Sequence, residues 1–121
     1  MPLAAFITGP GETALQKGEV MTGIRVTKPE GFSVHHFEKV GQRKALAIAV
    51  ASMAALLKAS GSGIIEEARI AWGSVGPTVV RSGEVEAALA GKKMSASLCE
   101  KASLLVRQAV SPIDDLRASA D

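Results

Sequence analysis

Cysteine is almost missing from this 121-residue sequence: Cys99 stands alone. That excludes an internal disulfide and any thiolate metal cluster built by this chain, and it suits a reducing cytoplasm. Aromatic residues make up only 3%, too few for platforms on which bases could stack. No block of like charge exists either. The 14 basic and 12 acidic residues are spread along the chain, for a net charge of +2, so nucleic-acid binding is not expected. The longest apolar stretch, Ala45–Leu57, is broken by Ser52 and is too short and Ala-rich to span a bilayer. Met1–Phe6 lacks the basic start and long apolar run of a signal peptide. A soluble cytoplasmic protein is the expectation.

With 47% hydrophobic and 21% charged residues, the chain can bury a modest core as one domain. Phe6-Ile7-Thr8 is a short apolar run closed by the turn Gly9-Pro10-Gly11. Ile24–Thr27 alternates apolar and polar residues, and so does Phe32–Val40 beyond the loop Lys28–Gly31. The two read as neighbouring antiparallel strands. Ala45–Ala59 is ambiguous. Its Ala and Leu content favours a helix, but period-two spacing also fits. The Ser60-Gly61-Ser62-Gly63 turn before the strand pattern of Ile64–Trp72 is more natural between two strands.

The second half reads as helical. Ser82 can cap a helix with Glu84 and Glu86 in its first turn, with Val85 and Leu89 on one face and Gly91 as its stop. Ser95 or Ser97 caps a longer helix, since Ser97 and Glu100 have capping-box spacing. Leu98, Ala102, Leu105, Val106 and Ala109 form its buried stripe. Ser111-Pro112-Ile113-Asp114 then starts another helix, with Pro at its first position. Strands first and helices after predict an α+β fold, an antiparallel sheet with helices on one face.

Few residues suggest chemistry. His35 and His36 are adjacent on a strand and point to opposite faces, which does not suit a shared metal. Gly73-Ser74-Val75-Gly76 resembles a nucleophile elbow, but Trp72 stands where that motif needs glycine, and no partner base is evident. In Gly9-Pro10-Gly11 the proline removes an amide that a phosphate loop would need. Cys99, beside Leu98, is expected to be a buried small apolar residue. Lys39, Arg43 and Lys44 place three cations around Gly41 at a strand end. Such a place suits a pyrophosphate or dinucleotide at a sheet edge, although on physics alone a solvated strand end is the preferred reading.

Taken in order, several segments resemble the C-terminal domain of the FAD subunits of xanthine dehydrogenase, carbon monoxide dehydrogenase and related molybdenum hydroxylases. They are Phe6–Thr13 with Gly18–Met21, Phe37-Glu38-Lys39 with Arg43, Ala68–Thr78, Glu86–Lys92 and Ser111–Ala120. The resemblance implies an α+β fold of three to four antiparallel strands packed against about three helices, with strand over much of Ala47–Lys58. It implies that residues 1–27 are the end of the preceding FAD-binding domain and 28–121 the C-terminal domain. The implied activity is that of a multi-subunit oxidoreductase. Electrons pass from iron–sulfur clusters via FAD to NAD or another acceptor, with a molybdopterin-binding large subunit and a 2Fe-2S small subunit as partners. Val20 and Met21 would touch the flavin nucleotide, Lys39 would lie close to the flavin and the acceptor's approach, and Arg43 would be a further cofactor contact or simply hold the loop. No catalytic residue and no metal ligand is assigned. The glycine-rich pyrophosphate loops of the flavin domain are not in this sequence, so the 121-residue polypeptide alone is expected to be inactive and not to retain FAD. A stand-alone α+β interaction module without redox activity is the alternative.

Overall fold

A computed structural model describes residues 1–43, 47–114 and 119. The short helix α1 (Leu3–Phe6) leads into a small hairpin of β1 (Ile7–Gly9) and β2 (Glu12–Thr13), closed by the Pro10-Gly11 turn with Gly11 at φ 72°. An irregular segment follows. The main sheet is an antiparallel meander of β3 (Val34–Gly41), β4 (Ala49–Ala59) and β5 (Ile65–Gly73), in the order β3-β4-β5. Helices α2 (Gly83–Leu89) and α3 (Ala96–Ala109) complete it. This is the α+β architecture expected.

Registry explains why an Ala-rich segment is a strand. β4 is the central strand and pairs along its length with both neighbours, for example His36↔Ala55↔Ile70 and Glu38↔Met53↔Trp72. Hydrogen bonding on both edges outweighs the few tenths of a kcal/mol per residue by which alanine prefers a helix. The Ser60–Gly63 hairpin turn forms as expected, with the Gly63 amide donating to Ser60 O at 2.9 Å.

On the inner face, Met53, Ala55 and Leu57 of β4 and Ala68, Ile70 and Trp72 of β5 meet Val85, Leu89, Leu98 and Ala102 from the helices. Ile65 also belongs to this core, although it is three residues from Ala68 instead of two. A bulge between Lys58 and Ala59 in the pairing shifts the phase and turns Ile65 inward. Burying side chains of this size stabilises by about 1.5–3 kcal/mol each.

Much of the outer edge of β5 is covered by backbone and side-chain partners. Ile65 N donates to Lys92 O, and Ile65 O accepts from Gly91 N, at 2.9 and 2.7 Å. Glu86 Oε1 accepts the Ile70 amide at 3.0 Å. Trp72 and Val80 exchange both backbone hydrogen bonds at 2.9 Å. Gly91, at φ 75°, makes the turn after α2 that brings its amide to Ile65.

Several sequence expectations need correction. Ile24–Thr27 is not a strand: it is irregular and exposed, and β3 pairs with β4 and with no other described strand. Four alternating residues are a short signal for a strand. Helix α3 is capped by Ser95, whose Oγ accepts from Leu98 N at 3.2 Å, so Ser97 lies inside the first turn. Cys99 is exposed, with Sγ 3.5 Å from Met94 Sδ, because it lies on the flank of the helix and not on the Leu98–Ala102 stripe. The helix expected from Ser111 does not form over Ser111–Asp114, where the Ser111 amide donates to Val75 O instead. The rest of that expected helix lies outside the described residues, except for Ser119, which is not helical.

Candidate functional site

The strand register places Lys39 at the end of the outer sheet face, in one row with Ser52 and Gly73. Beside this row lie Phe37, Ala54 and Ala71, so the surface around the lysine is built mostly from small side chains. A Cβ on Gly73 would stand 2.7 Å from Ser52 Oγ, so the serine hydroxyl would have to rotate away. Lys39 is exposed, and its Nζ donates to Ala47 O at 3.1 Å, which draws the ammonium towards the chain entering β4. Arg43 follows two residues after the strand and is also exposed. Lys44, the third cation of the expected cluster, lies outside the described residues.

Val20 and Met21 lie elsewhere in the chain, after a tight turn. The Glu19 amide donates to Gln16 O at 3.0 Å, Gly18 adopts φ 89°, and the Gln16 amide donates to Glu19 Oε2 at 2.7 Å. Positive φ at the third turn position is a glycine's conformation. Beyond the turn, Val20 is 79% and Met21 54% exposed. Together with Met1, Leu3, Phe6 and Leu15 they line an open hollow of 330 Å³. Neither Lys39 nor Arg43 lines it, so the four expected contact residues form two separate groups on this chain.

The other candidates resolve as structure. His35 Nε2 lies 3.0 Å from Phe32 O, while His36 Nε2 is 3.5 Å from Glu38 Oε2 on the opposite face. Among the described residues no cluster of His, Cys, Asp or Glu could hold a metal ion. Ser74 has a positive φ of 65°, but both histidines sit on β3, at the far edge of the sheet, so no base serves it. Another hollow, of 560 Å³, opens between the inner sheet face and α3. It is lined by core residues including Trp72, Ile70 and Val106, with Cys99 and Arg107 among its polar neighbours.

Ser52 and Gly73 were missed by the sequence reading. Their signal is the strand register, which appears only once Ala49–Ala59 is placed opposite β3.

The family model for the CO dehydrogenase flavoprotein C-terminal domain matches residues 36–121. The chain is 33% identical over 115 residues to the glyceraldehyde dehydrogenase medium chain of Sulfolobus acidocaldarius, covering 95% of this chain and 40% of that one. It is 28% identical over 103 residues to the nicotinate dehydrogenase FAD-subunit of Eubacterium barkeri, covering 83% and 35%. Among solved structures, carbon monoxide dehydrogenase from Hydrogenophaga pseudoflava superposes with a TM-score of 0.83 at 34% identity, over 98% of this chain and 40% of that one. Quinoline 2-oxidoreductase from Pseudomonas putida 86 gives 0.86 at 27% identity, over 97% and 40%. The chain therefore spans 35–40% of the length of these relatives.

Proposed function

This chain belongs to the CO dehydrogenase flavoprotein C-terminal domain family, and on that premise we propose that it completes the flavin site in the FAD subunit of a molybdenum hydroxylase. Residues 1–27 form the end of the flavin-binding domain in this reading, and 28–121 the C-terminal domain. In support, α1, β1 and β2 pack on one another, whereas the main sheet and α2 and α3 share a core of their own. The subunit's partners are a molybdopterin-binding large subunit and a 2Fe-2S small subunit, working in the cytoplasm. No helix among the described residues is long and apolar enough to cross a membrane.

Four relatives carrying this domain are named for glyceraldehyde, nicotinate, carbon monoxide and quinoline. A domain common to enzymes of such different substrates serves a step they share. That step is the exit of electrons through the flavin to NAD or another acceptor, as in xanthine dehydrogenase-type enzymes.

The residues present suit one wall of such a site. Val20 and Met21 offer exposed apolar contact beside an open hollow, and Lys39 offers an exposed cation at the sheet end. FAD, when bound, supplies the carrier that takes electrons from the iron–sulfur clusters and releases them to the acceptor. Val20 and Met21 would pack against the nucleotide and shield it from water. Lys39, in its separate group at the sheet end, would draw in an anionic acceptor by its positive charge. Arg43 steadies the chain beyond β3.

The observation that carries this reading is the Lys39 ammonium held at the sheet end by Ala47 O. In the assembled enzyme, Lys39→Ala is expected to slow flavin reoxidation by the acceptor about ten-fold while leaving reduction of the molybdenum site by substrate unchanged. Equal loss in both half-reactions would make the lysine structural and overturn the proposal. The 121-residue polypeptide by itself is expected to show no flavin absorbance after purification, and stoichiometric flavin would contradict the division of the site described here.

A further inference from the structure

Lys39 does not set its own position. The carbonyl it donates to belongs to Ala47, eight residues along the chain, and Ala47 is pressed against the end of β3 at Gly41. A Cβ on Gly41 would stand 2.6 Å from Ala47 Cβ and 3.3 Å from Ile48 O. Neither neighbour can swing away, because a Cβ and a carbonyl oxygen move only with their backbone. Gly41 is also where the pairing with β4 skips: Val40 faces Ala51, and Gly41 faces Ala49. The glycine is therefore required by space and not by a positive φ. It lets the two chains close beyond the bulge.

We propose that Gly41 is a positioning residue for Lys39. By having no side chain it admits Ala47 against β3, and that approach sets the carbonyl that holds the ammonium. The functional weight of this inference rests on the reading of Lys39 given above, but the geometry can be tested without it. A Cβ at position 41 must push Ala47 outward, and the carbonyl moves with it. Lys39 then loses its acceptor and becomes a freely rotating surface lysine.

The test uses the 121-residue chain and measures the rate at which acetic anhydride labels each lysine, read by mass spectrometry. Labelling needs an amine that turns freely into solvent, and an Nζ held against the Ala47 carbonyl is restrained. Gly41→Ala is expected to raise the Lys39 rate about three-fold relative to Lys58 in the same chain. Ala47→Gly, which removes the clashing Cβ, is expected to return the Gly41→Ala chain towards the original rate. If Gly41→Ala prevents folding, the double variant still decides: restored folding with slow Lys39 labelling supports the inference. An unchanged Lys39 rate in a folded Gly41→Ala chain overturns it, as does a double variant that shows no recovery. The functional reading fails separately, if Lys39→Gln in the assembled enzyme leaves flavin reoxidation unaltered. Should Lys39→Gln slow reoxidation while Gly41→Ala does not, the positioning role fails and the functional reading stands.

Discussion

Glu86 accepts the backbone amide of Ile70 at 3.0 Å, so a helix side chain takes the place that a fourth strand would occupy beside β5. The same carboxylate receives Arg81 Nη2 at 2.7 and 3.0 Å. Glu86→Ala leaves a half-buried amide unpaired and is expected to cost about 1–3 kcal/mol in urea unfolding. Glu86→Gln keeps an acceptor and should cost less. Arg81→Ala, at a side chain 57% exposed, is expected to change stability by about 1 kcal/mol or less. Equal effects from all three would show that the amide contact contributes nothing.

The two faces of the helices separate cleanly. Leu89, 5% exposed within the core, is expected to lose about 2–5 kcal/mol on Leu89→Ala. Leu104 is 59% exposed on α3, and Leu104→Ala should fall within roughly 0.5 kcal/mol of the parent. Thermal unfolding of the two variants side by side checks the packing.

Only one serine caps α3. Ser95→Ala is expected to lower stability by about 1 kcal/mol, because the Leu98 amide loses its acceptor. Ser97→Ala, inside the first turn, should be nearly neutral. The reverse order in chemical denaturation would restore the capping-box reading.

Cys99 is exposed and is the chain's sole thiol. Ellman's reagent is therefore expected to titrate one thiol per native chain without denaturant. A thiol that reacts only after unfolding would mean that α3 turns its cysteine inward.

Much of this structure was legible from local pattern. The Gly-rich turns, the Ser82 cap and the alternation of Ile64–Trp72 each report physics confined to a few residues. The misreadings share a different cause. That Ala49–Ala59 pairs with β3 along its length while Ile24–Thr27 pairs with nothing in the main sheet is a matter of long-range pairing, and composition does not show that. Cys99 was assigned by its neighbour Leu98, yet each helical residue turns by about 100°, so adjacency is a poor guide to burial. At the candidate site, Lys39 and Arg43 were visible as charges. Ser52, Gly73 and Ala47 became partners of Lys39 only through strand register and chain closure.

The two rims of the main sheet are unlike. Much of β5 is covered by Lys92, Gly91, Glu86 and Val80, while β3 is exposed over Val34–Val40 and, among the described residues, has a strand on one side only. Such a sheet is a socket with a single opening. A strand from another polypeptide, or β3 of a second copy, could extend it once, and the covered rim would then disfavour further addition. Growth into a fibre needs two open rims, so covering much of β5 disfavours edge-to-edge association beyond a pair.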